Sequence, residues 1–162
     1  MINLHRLCGL ALGAMLLLPG CMSRMVEEPQ DQAGAEAVIR TFLTDLLEED
    51  GKGLMQSISL PFWTEEEWIV DSKTLQEELP DDGPQEIPML GEIVVRIYPL
   101  ADMAVLEPKS WANLKDSNPA YLKDLYVAAV ALRERSDRDP ESGLVLLRRV
   151  NGSWRLAGLL DH

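Results

Sequence analysis

Cysteine and histidine are almost absent from this chain, which has two of each among its 162 residues. Cys8, Cys21 and His5 stand near the start, and His162 is the last residue. The rest of the chain therefore has no disulfide, no thiol nucleophile and no cysteine or histidine pair for a metal ion. A Ser-His-Asp triad would depend on His162, and chain ends usually fray. We predict no catalytic, cofactor-binding or metal-binding residue.

Basic residues are also few. Lys and Arg number 15 against 27 Asp and Glu, which gives a net charge of −12. Proteins bind nucleic acid mainly by placing clusters of Lys and Arg on phosphates, and a chain this acidic repels a phosphate backbone. We therefore predict no nucleic-acid partner. An acidic protein is not attracted to anionic lipid either, so attachment to a membrane would need an anchor.

Phosphate-loop and calcium-loop motifs are missing as well. Gly51-Lys52-Gly53 lacks the spacing of a Walker loop and follows a predicted helix, whereas a Walker loop follows a strand. Asp81-Asp82-Gly83 lacks the alternating ligands and the final Glu of a calcium loop, so we predict a turn there. The sequence also contains no internal repeat. We therefore predict no cofactor.

What the chain does have is a typical export signal at residues 1–20. Arg6 supplies a positive charge, and residues 7–18 form an uncharged run of mostly Leu, Ala, Gly and Met. Such a run rises roughly 18 Å as a helix, which is short of the roughly 30 Å hydrocarbon core of a bilayer. The segment is therefore predicted to be a signal peptide rather than a membrane-spanning helix.

The signal ends in Leu18-Pro19-Gly20-Cys21, which resembles the lipobox of bacterial lipoproteins. Three of the four positions match, and Pro19 stands where Ala, Ser or Thr is usual. The resemblance implies cleavage before Cys21 and lipidation of its thiol, with palmitate-like acyl chains in a membrane and residues 21–32 as a tether. It implies a bacterial cell envelope, and Met22 in place of Asp favours the periplasmic side of a Gram-negative outer membrane. The alternatives are a secretory signal with an incidental cysteine, or an uncleaved anchor.

After the tether, an amphipathic helix is predicted at residues 34–50. Its apolar residues recur at the i, i+3, i+4, i+7 spacing of one helical face, namely Ala35, Val38, Ile39, Phe42, Leu43, Leu46 and Leu47. Gly51 is predicted to end this helix in a left-handed conformation. A short second helix is predicted at residues 52–59, and another is predicted to be capped by Asp71 or Ser72.

Strands dominate the second half of the chain. Residues 92–100, 125–133 and 144–150 are rich in Ile, Val and Leu. Asn151-Gly152 is the strongest short signal for a tight β-hairpin, because both residues tolerate positive φ. Residues 153–160 form the return strand, and strict alternation places Trp154, Leu156, Gly158 and Leu160 on one face. Residues 101–120 are compatible with short helical turns.

The long helix, the connector Leu60-Pro61-Phe62-Trp63 and the hairpin at residues 146–159 together resemble the nuclear transport factor 2-like superfamily, which includes SnoaL-like and ketosteroid isomerase-like proteins. The resemblance covers residues 33–160 and implies one domain at residues 33–162. The implied fold is α+β and cone-shaped, with a long N-terminal amphipathic helix packed on a curved antiparallel sheet and a pocket at the wide end. Homodimers through the open sheet are common in proteins of this shape, so a homodimer is expected.

This superfamily resemblance implies several activities and does not choose between them. They include isomerase, dehydratase, ligand carrier and interaction module. The enzymes of the superfamily place Asp, His or Tyr in the pocket, and no residue here matches a catalytic motif of that kind. The resemblance therefore assigns no catalytic residue to this chain.

The most unusual local cluster is Trp63, Trp68 and the three glutamates between them. Trp63 and Trp68 are candidates for a pocket lip, with aromatic faces for an apolar or sugar-like ligand. The alternative is that the two indole rings pack in the core while the glutamates face water. Asp45 and Asp102 are candidate pocket carboxylates, and the alternative for Asp45 is a solvated position at the edge of the helix stripe.

We predict a membrane-anchored envelope lipoprotein that acts as a non-catalytic module for binding a small ligand or an envelope protein. One alternative is an enzyme, an isomerase, dehydratase or hydrolase that uses a pocket carboxylate. The other alternative is a purely structural envelope lipoprotein without a ligand. A filled core would favour the structural alternative, and an acid with a raised pKa in a roomy pocket would favour the enzyme.

Overall fold

A computed structural model describes residues 29–48, 50–64, 66–78, 91–133 and 141–160 of the protein. The predicted signal peptide, Cys21, the Asp81-Asp82-Gly83 turn and His162 lie outside the described residues. Within them, the elements follow in the order α1 (Pro29–Leu47), α2 (Gly51–Ser57), β1 (Ile58–Thr64), β2 (Glu67–Ile69), α3 (Ser72–Glu78), β3 (Glu92–Pro99), α4 (Met103–Leu106), α5 (Pro108–Lys115), β4 (Leu125–Arg133), β5 (Glu141–Val150) and β6 (Ser153–Leu160). The protein is therefore an α+β protein.

The six strands form one curved sheet that does not close, in the order β2-β1-β6-β5-β4-β3. Four of its five neighbouring pairs are antiparallel, and β1 pairs with β6 in parallel. The prediction of an antiparallel sheet is therefore wrong at this pair. No hairpin joins β1 to β6, so no local turn sets their relative direction.

Helix α1 packs its apolar face on the sheet, where it contacts β3 and β6. Five residues of the predicted stripe are buried, and Leu43 is partly buried against the same cluster: Ala35, Val38, Ile39, Phe42 and Leu46. The helix begins at Pro29, earlier than predicted, and proline is well suited to a first helical turn. The first four residues of α1 therefore belong to the segment predicted as tether.

The junction between α1 and α2 corrects a second prediction. Gly51 does not end α1 in a left-handed conformation, because it is the first residue of α2 and its φ is not positive. Asp50 caps α2 instead, since its carboxylate accepts hydrogen bonds from the backbone N–H of Lys52 at 3.1 Å and of Gly53 at 3.0 Å. An acidic N-cap satisfies amides that have no partner within the helix.

Both faces of the sheet are covered. The α1 face carries an apolar cluster that includes Phe62, Leu75, Ile97 and Leu147. The opposite face carries a second cluster, in which Met103, Leu106, Trp111 and Leu114 of α4 and α5 pack on strand residues such as Val127 and Leu146. Residues 101–114, whose sequence pattern is ambiguous, thus form the third layer of the fold.

The predicted hairpin between β5 and β6 is confirmed. Asn151 and Gly152 have φ values of 51° and 82°, as a two-residue turn with positive φ at both positions requires. The predicted alternation along β6 holds through Leu156 and then fails, because Leu160 packs in the cluster on the opposite face of the sheet from Trp154. Leu146 pairs with Gly158 and Leu147 pairs with Leu156, so β6 has one extra residue at this point. Such a bulge moves the side chains beyond it to the other face of the sheet.

Candidate functional site

A cleft of about 410 Å³ opens between the first half of α1 and the β5–β6 hairpin. Three parts of the chain line it, namely Gly34, Ala37, Val38 and Thr41 of α1, Ser57 of α2, and Arg149, Gly152, Ser153, Trp154 and Arg155 of the hairpin. The volume lies within the range of small-molecule sites. The cleft is therefore the candidate site for a ligand.

Trp154 forms the floor of the cleft on the hairpin side. Its side chain is 6% exposed, and its ring meets the ring of Tyr126 edge-on with centroids 5.1 Å apart. The guanidinium carbon of Arg149 lies 4.9 Å from the centre of the Trp154 indole, within the range of a cation–π interaction. Arg149 and Trp154 lie directly opposite each other across the β5–β6 hairpin, so the register of the turn brings the guanidinium over the indole ring.

Glycine at position 34 lets α1 approach this ring. A Cβ atom at Gly34 would lie 3.0 Å from Cδ1 and 3.6 Å from Nε1 of Trp154. Nε1 itself is buried and has no hydrogen-bond partner among the described residues. A buried N–H of this kind normally has an acceptor, and leaving it without one costs about 1–3 kcal/mol.

The chemistry of the cleft differs from that of the chain as a whole. The ten lining residues include two arginines and three hydroxyl side chains but no carboxylate, although the chain carries 27 acidic residues. Hydroxyl and guanidinium groups donate hydrogen bonds, and a guanidinium also carries a fixed charge. The cleft can therefore bind and orient a group rich in acceptors, and none of its described lining residues is a carboxylate that could act as a general base.

Trp63 and Trp68, the predicted pocket lip, do not line this cleft. They are cross-strand partners in the β1–β2 hairpin, with ring centroids 5.2 Å apart. Trp63 is 2% exposed in the cluster under α4 and α5, and half-buried Trp68 donates its indole N–H to the hydroxyl of Ser117 at 2.9 Å. Both lie on the face of the sheet opposite to α1, whereas Trp154 lies on the α1 face.

Arg148 stands beside these aromatic residues and is the most buried charged side chain among the described residues, with 9% exposure. Its guanidinium donates to the Ser59 hydroxyl at 3.1 Å, the Pro61 carbonyl at 3.2 Å and the Tyr121 carbonyl at 2.8 Å. Burial lowers the pKa of Arg148, and the charge of Asp124 opposes that effect. This arginine ties strands together and does not reach the cleft.

The two candidate carboxylates do not line the cleft either. Burial raises the pKa of Asp45, and the negative charges of Asp50 and Glu48 raise it further. One carboxylate oxygen of Asp45 and one of Asp102 are buried without a hydrogen-bond partner among the described residues. Asp45 faces Gly53 at the start of α2, where a Cβ would lie 2.6 Å from its carboxylate carbon, so it has no room for a substrate on that side.

Within residues 29–48, 50–64, 66–78, 91–133 and 141–160, no three His, Cys, Asp or Glu side chains are grouped as metal ligands. No helix in those ranges combines the length and the hydropathy needed to cross a bilayer.

Comparison with known proteins gives no relative. No protein-family model matches the chain, and no curated protein matches it in sequence.

Proposed function

We propose that this protein is an envelope lipoprotein whose folded domain is a non-catalytic binding module. In this proposal the chain is cleaved before Cys21, lipids on the Cys21 thiol hold it to the membrane, and the domain extends into the periplasm. The lipobox-like sequence Leu18-Pro19-Gly20-Cys21 supports the anchor. Two or more acyl chains hold a protein stably to a bilayer, and the acidic domain would add no attraction of its own.

We further propose that the domain has the cone-like shape of the nuclear transport factor 2-like superfamily. Supporting this are a long first helix packed on a curved sheet, the β3–β6 meander and the terminal hairpin around Asn151-Gly152, whereas the parallel β1–β6 pair departs from the antiparallel sheet that the resemblance implies. In this chain the space between α1 and the sheet is occupied by apolar side chains such as Phe42, Phe62 and Ile97. The filled core is what the structural alternative predicts, so the binding proposal depends on the cleft at the hairpin end in place of a central pocket.

The observation that carries the binding role is the cleft itself. It is lined by donors and an aromatic ring, and its ten lining residues include no Asp or Glu. The carboxylate with a raised pKa, Asp45, lies outside it. An enzyme that uses a pocket acid would need the two features in one place, so binding is favoured over catalysis.

Native mass spectrometry of the full-length protein, extracted from membranes in a non-ionic detergent, tests the binding role. We expect a non-covalent adduct that is released by collisional activation. A variant with Gly34 changed to Leu, which fills the cleft beside Trp154, is expected to lose the adduct. Gly51→Leu is the matched control, because a side chain at Gly51 meets nothing within 4 Å at its Cβ. A wild-type spectrum that shows no non-covalent adduct would contradict the proposal.

A further inference from the structure

The cleft gathers hydrogen-bond donors from four elements of the fold. Thr41 of α1, Ser57 of α2 and Ser153 of β6 supply hydroxyls, and Arg149 of β5 supplies a guanidinium. Ser57 is only 3% exposed, so packing fixes the position of its hydroxyl. Donors that approach from several directions suit a tetrahedral oxyanion with three or four acceptor oxygens better than a planar carboxylate with two.

The arginine is also held in place before any ligand arrives. The guanidinium carbon of Arg149 lies 4.9 Å over the ring of Trp154, which restricts the side chain to one region of the cleft. A guanidinium has five N–H donors, so an arginine that stacks or bonds elsewhere keeps donors for an anion. Arginine is over-represented where proteins bind phosphate, because its planar guanidinium can donate two parallel hydrogen bonds to phosphate oxygens.

A second observation points to a missing acceptor. Trp154 is 94% buried, yet its Nε1 has no hydrogen-bond partner among the described residues. The edge of the ring that carries this N–H faces Gly34, which itself lines the cleft. The part of the cleft beside Gly34 is where a ligand oxygen would come nearest to this N–H.

From these observations we infer that the cleft binds a phosphate group. The inference rests on the proposed binding role and names the chemistry of its ligand. A volume of about 410 Å³ exceeds what one phosphate ion needs, so the phosphate belongs to a larger molecule. Two sources share this chemistry, a soluble phosphorylated compound and the headgroup of a membrane lipid.

Isothermal titration calorimetry of the full-length protein in a phosphate-free, non-ionic detergent tests this inference. The probes are inorganic phosphate, the short-chain lipid dihexanoyl phosphatidic acid, and acetate at the same ionic strength. We expect saturable binding of at least one phosphate probe, with acetate at least about tenfold weaker. Binding of inorganic phosphate at least as tight as that of the lipid assigns a soluble ligand, and lipid binding at least about tenfold tighter than that of inorganic phosphate assigns a headgroup. Equal affinity for acetate, or no saturation by either phosphate probe, would overturn the inference.

Variants locate the binding to the cleft. Arg149→Met should weaken phosphate binding by about tenfold or more, because it removes a charged donor. Arg96→Met is the matched control, since Arg96 is exposed on the edge strand β3 and does not line the cleft. If Arg149→Met does not fold, Ser153→Ala at the exposed start of β6 replaces it, with an expected loss of severalfold. Unchanged affinity in the folded variant would contradict the assignment.

An adduct in native mass spectra together with no phosphate binding would leave the binding role intact and remove only this inference.

Discussion

The guanidinium of Arg148 donates a hydrogen bond of 2.8 Å to the backbone carbonyl of Tyr121. The same group also donates to Ser59 and to the carbonyl of Pro61, so a single side chain joins β5, β1 and the 3₁₀ turn that precedes β4. Its guanidinium carbon lies 5.8 Å from the centre of the Trp68 ring. No carboxylate of the described residues lies within ion-pair distance of it, so carbonyl and hydroxyl oxygens, an aromatic ring and the more distant charge of Asp124 compensate its charge.

Replacing Arg148 with Met should lower the free energy of unfolding by about 2–4 kcal/mol, because three hydrogen bonds from a charged donor at a buried side chain are lost. Urea denaturation followed by tryptophan fluorescence measures this. Arg96→Met, on the exposed side of β3, should stay within about 0.5 kcal/mol of wild type. Equal stability of the two variants would show that Arg148 does not tie the strands together.

Gly158 should not tolerate a side chain. A Cβ there would lie 2.7 Å from Cβ and 2.9 Å from the carbonyl oxygen of Trp63, its partner in the parallel β1–β6 pair. Because the Trp63 backbone would have to move, Gly158→Ala should cost about 2–3 kcal/mol of unfolding free energy. The control is Gly51→Ala, which meets nothing within 4 Å and should leave stability unchanged or slightly raised. A fully stable Gly158→Ala protein would argue against this register.

Asn151 has a φ of 51°, a conformation that β-branched residues adopt only at a cost. Asn151→Val should therefore destabilise the protein by about 1–3 kcal/mol, measured as a lower melting temperature. Asn151→Gly is the control and should be close to neutral, because glycine adopts positive φ readily. If valine and glycine behave alike, the turn between β5 and β6 is not the tight one described.

The carboxyl group of Asp45 should make stability depend on pH. Its pKa in the folded protein is raised above 3.8 by burial and by Asp50 and Glu48. The folded state therefore binds the proton of Asp45 more tightly than the unfolded state does. The resulting contribution to the free energy of unfolding is fully present below about pH 3.8 and is lost as the pH rises through the raised pKa of the folded state. Asp45→Asn should raise the urea midpoint at pH 7, and the gain should shrink as the pH falls towards 3.8.

Glu67→Gln provides the comparison for Asp45, since Glu67 is exposed on β2. The urea midpoint of that variant should follow the wild-type value across the same pH range. A gain for Asp45→Asn that is the same at pH 7 and at pH 4 would contradict the role of ionisation, because a neutral packing effect does not titrate.

The fold could be predicted from the sequence wherever local chemistry determines it. The stripe from Ala35 to Leu46 is buried as its spacing predicts, and the turn at Asn151-Gly152 has the predicted backbone conformation. The β1–β2 hairpin could not be foreseen, because no glycine, asparagine or proline stands between Trp63 and Trp68 to signal a tight turn. The bulge near Gly158 depends on packing against Trp63, which is distant in sequence.

The candidate site was only partly accessible to sequence reasoning. Once a two-residue turn is predicted at Asn151-Gly152, its register places Arg149 opposite Trp154, so this pair could have been found. Whether that pair lies in a cleft depends on the approach of α1 at Gly34, a long-range contact that no local pattern encodes. For the same reason, the aromatic residues with the most distinctive spacing, Trp63 and Trp68, were favoured over Trp154.

The most direct test of the account is metabolic labelling with radioactive palmitate, combined with membrane fractionation, of the wild-type protein and two cysteine variants. The account predicts that wild type and Cys8→Ser incorporate label and sediment with membranes, whereas Cys21→Ser takes up no label and is released. Incorporation of label and membrane association that persist in Cys21→Ser would contradict a lipid anchor at that residue.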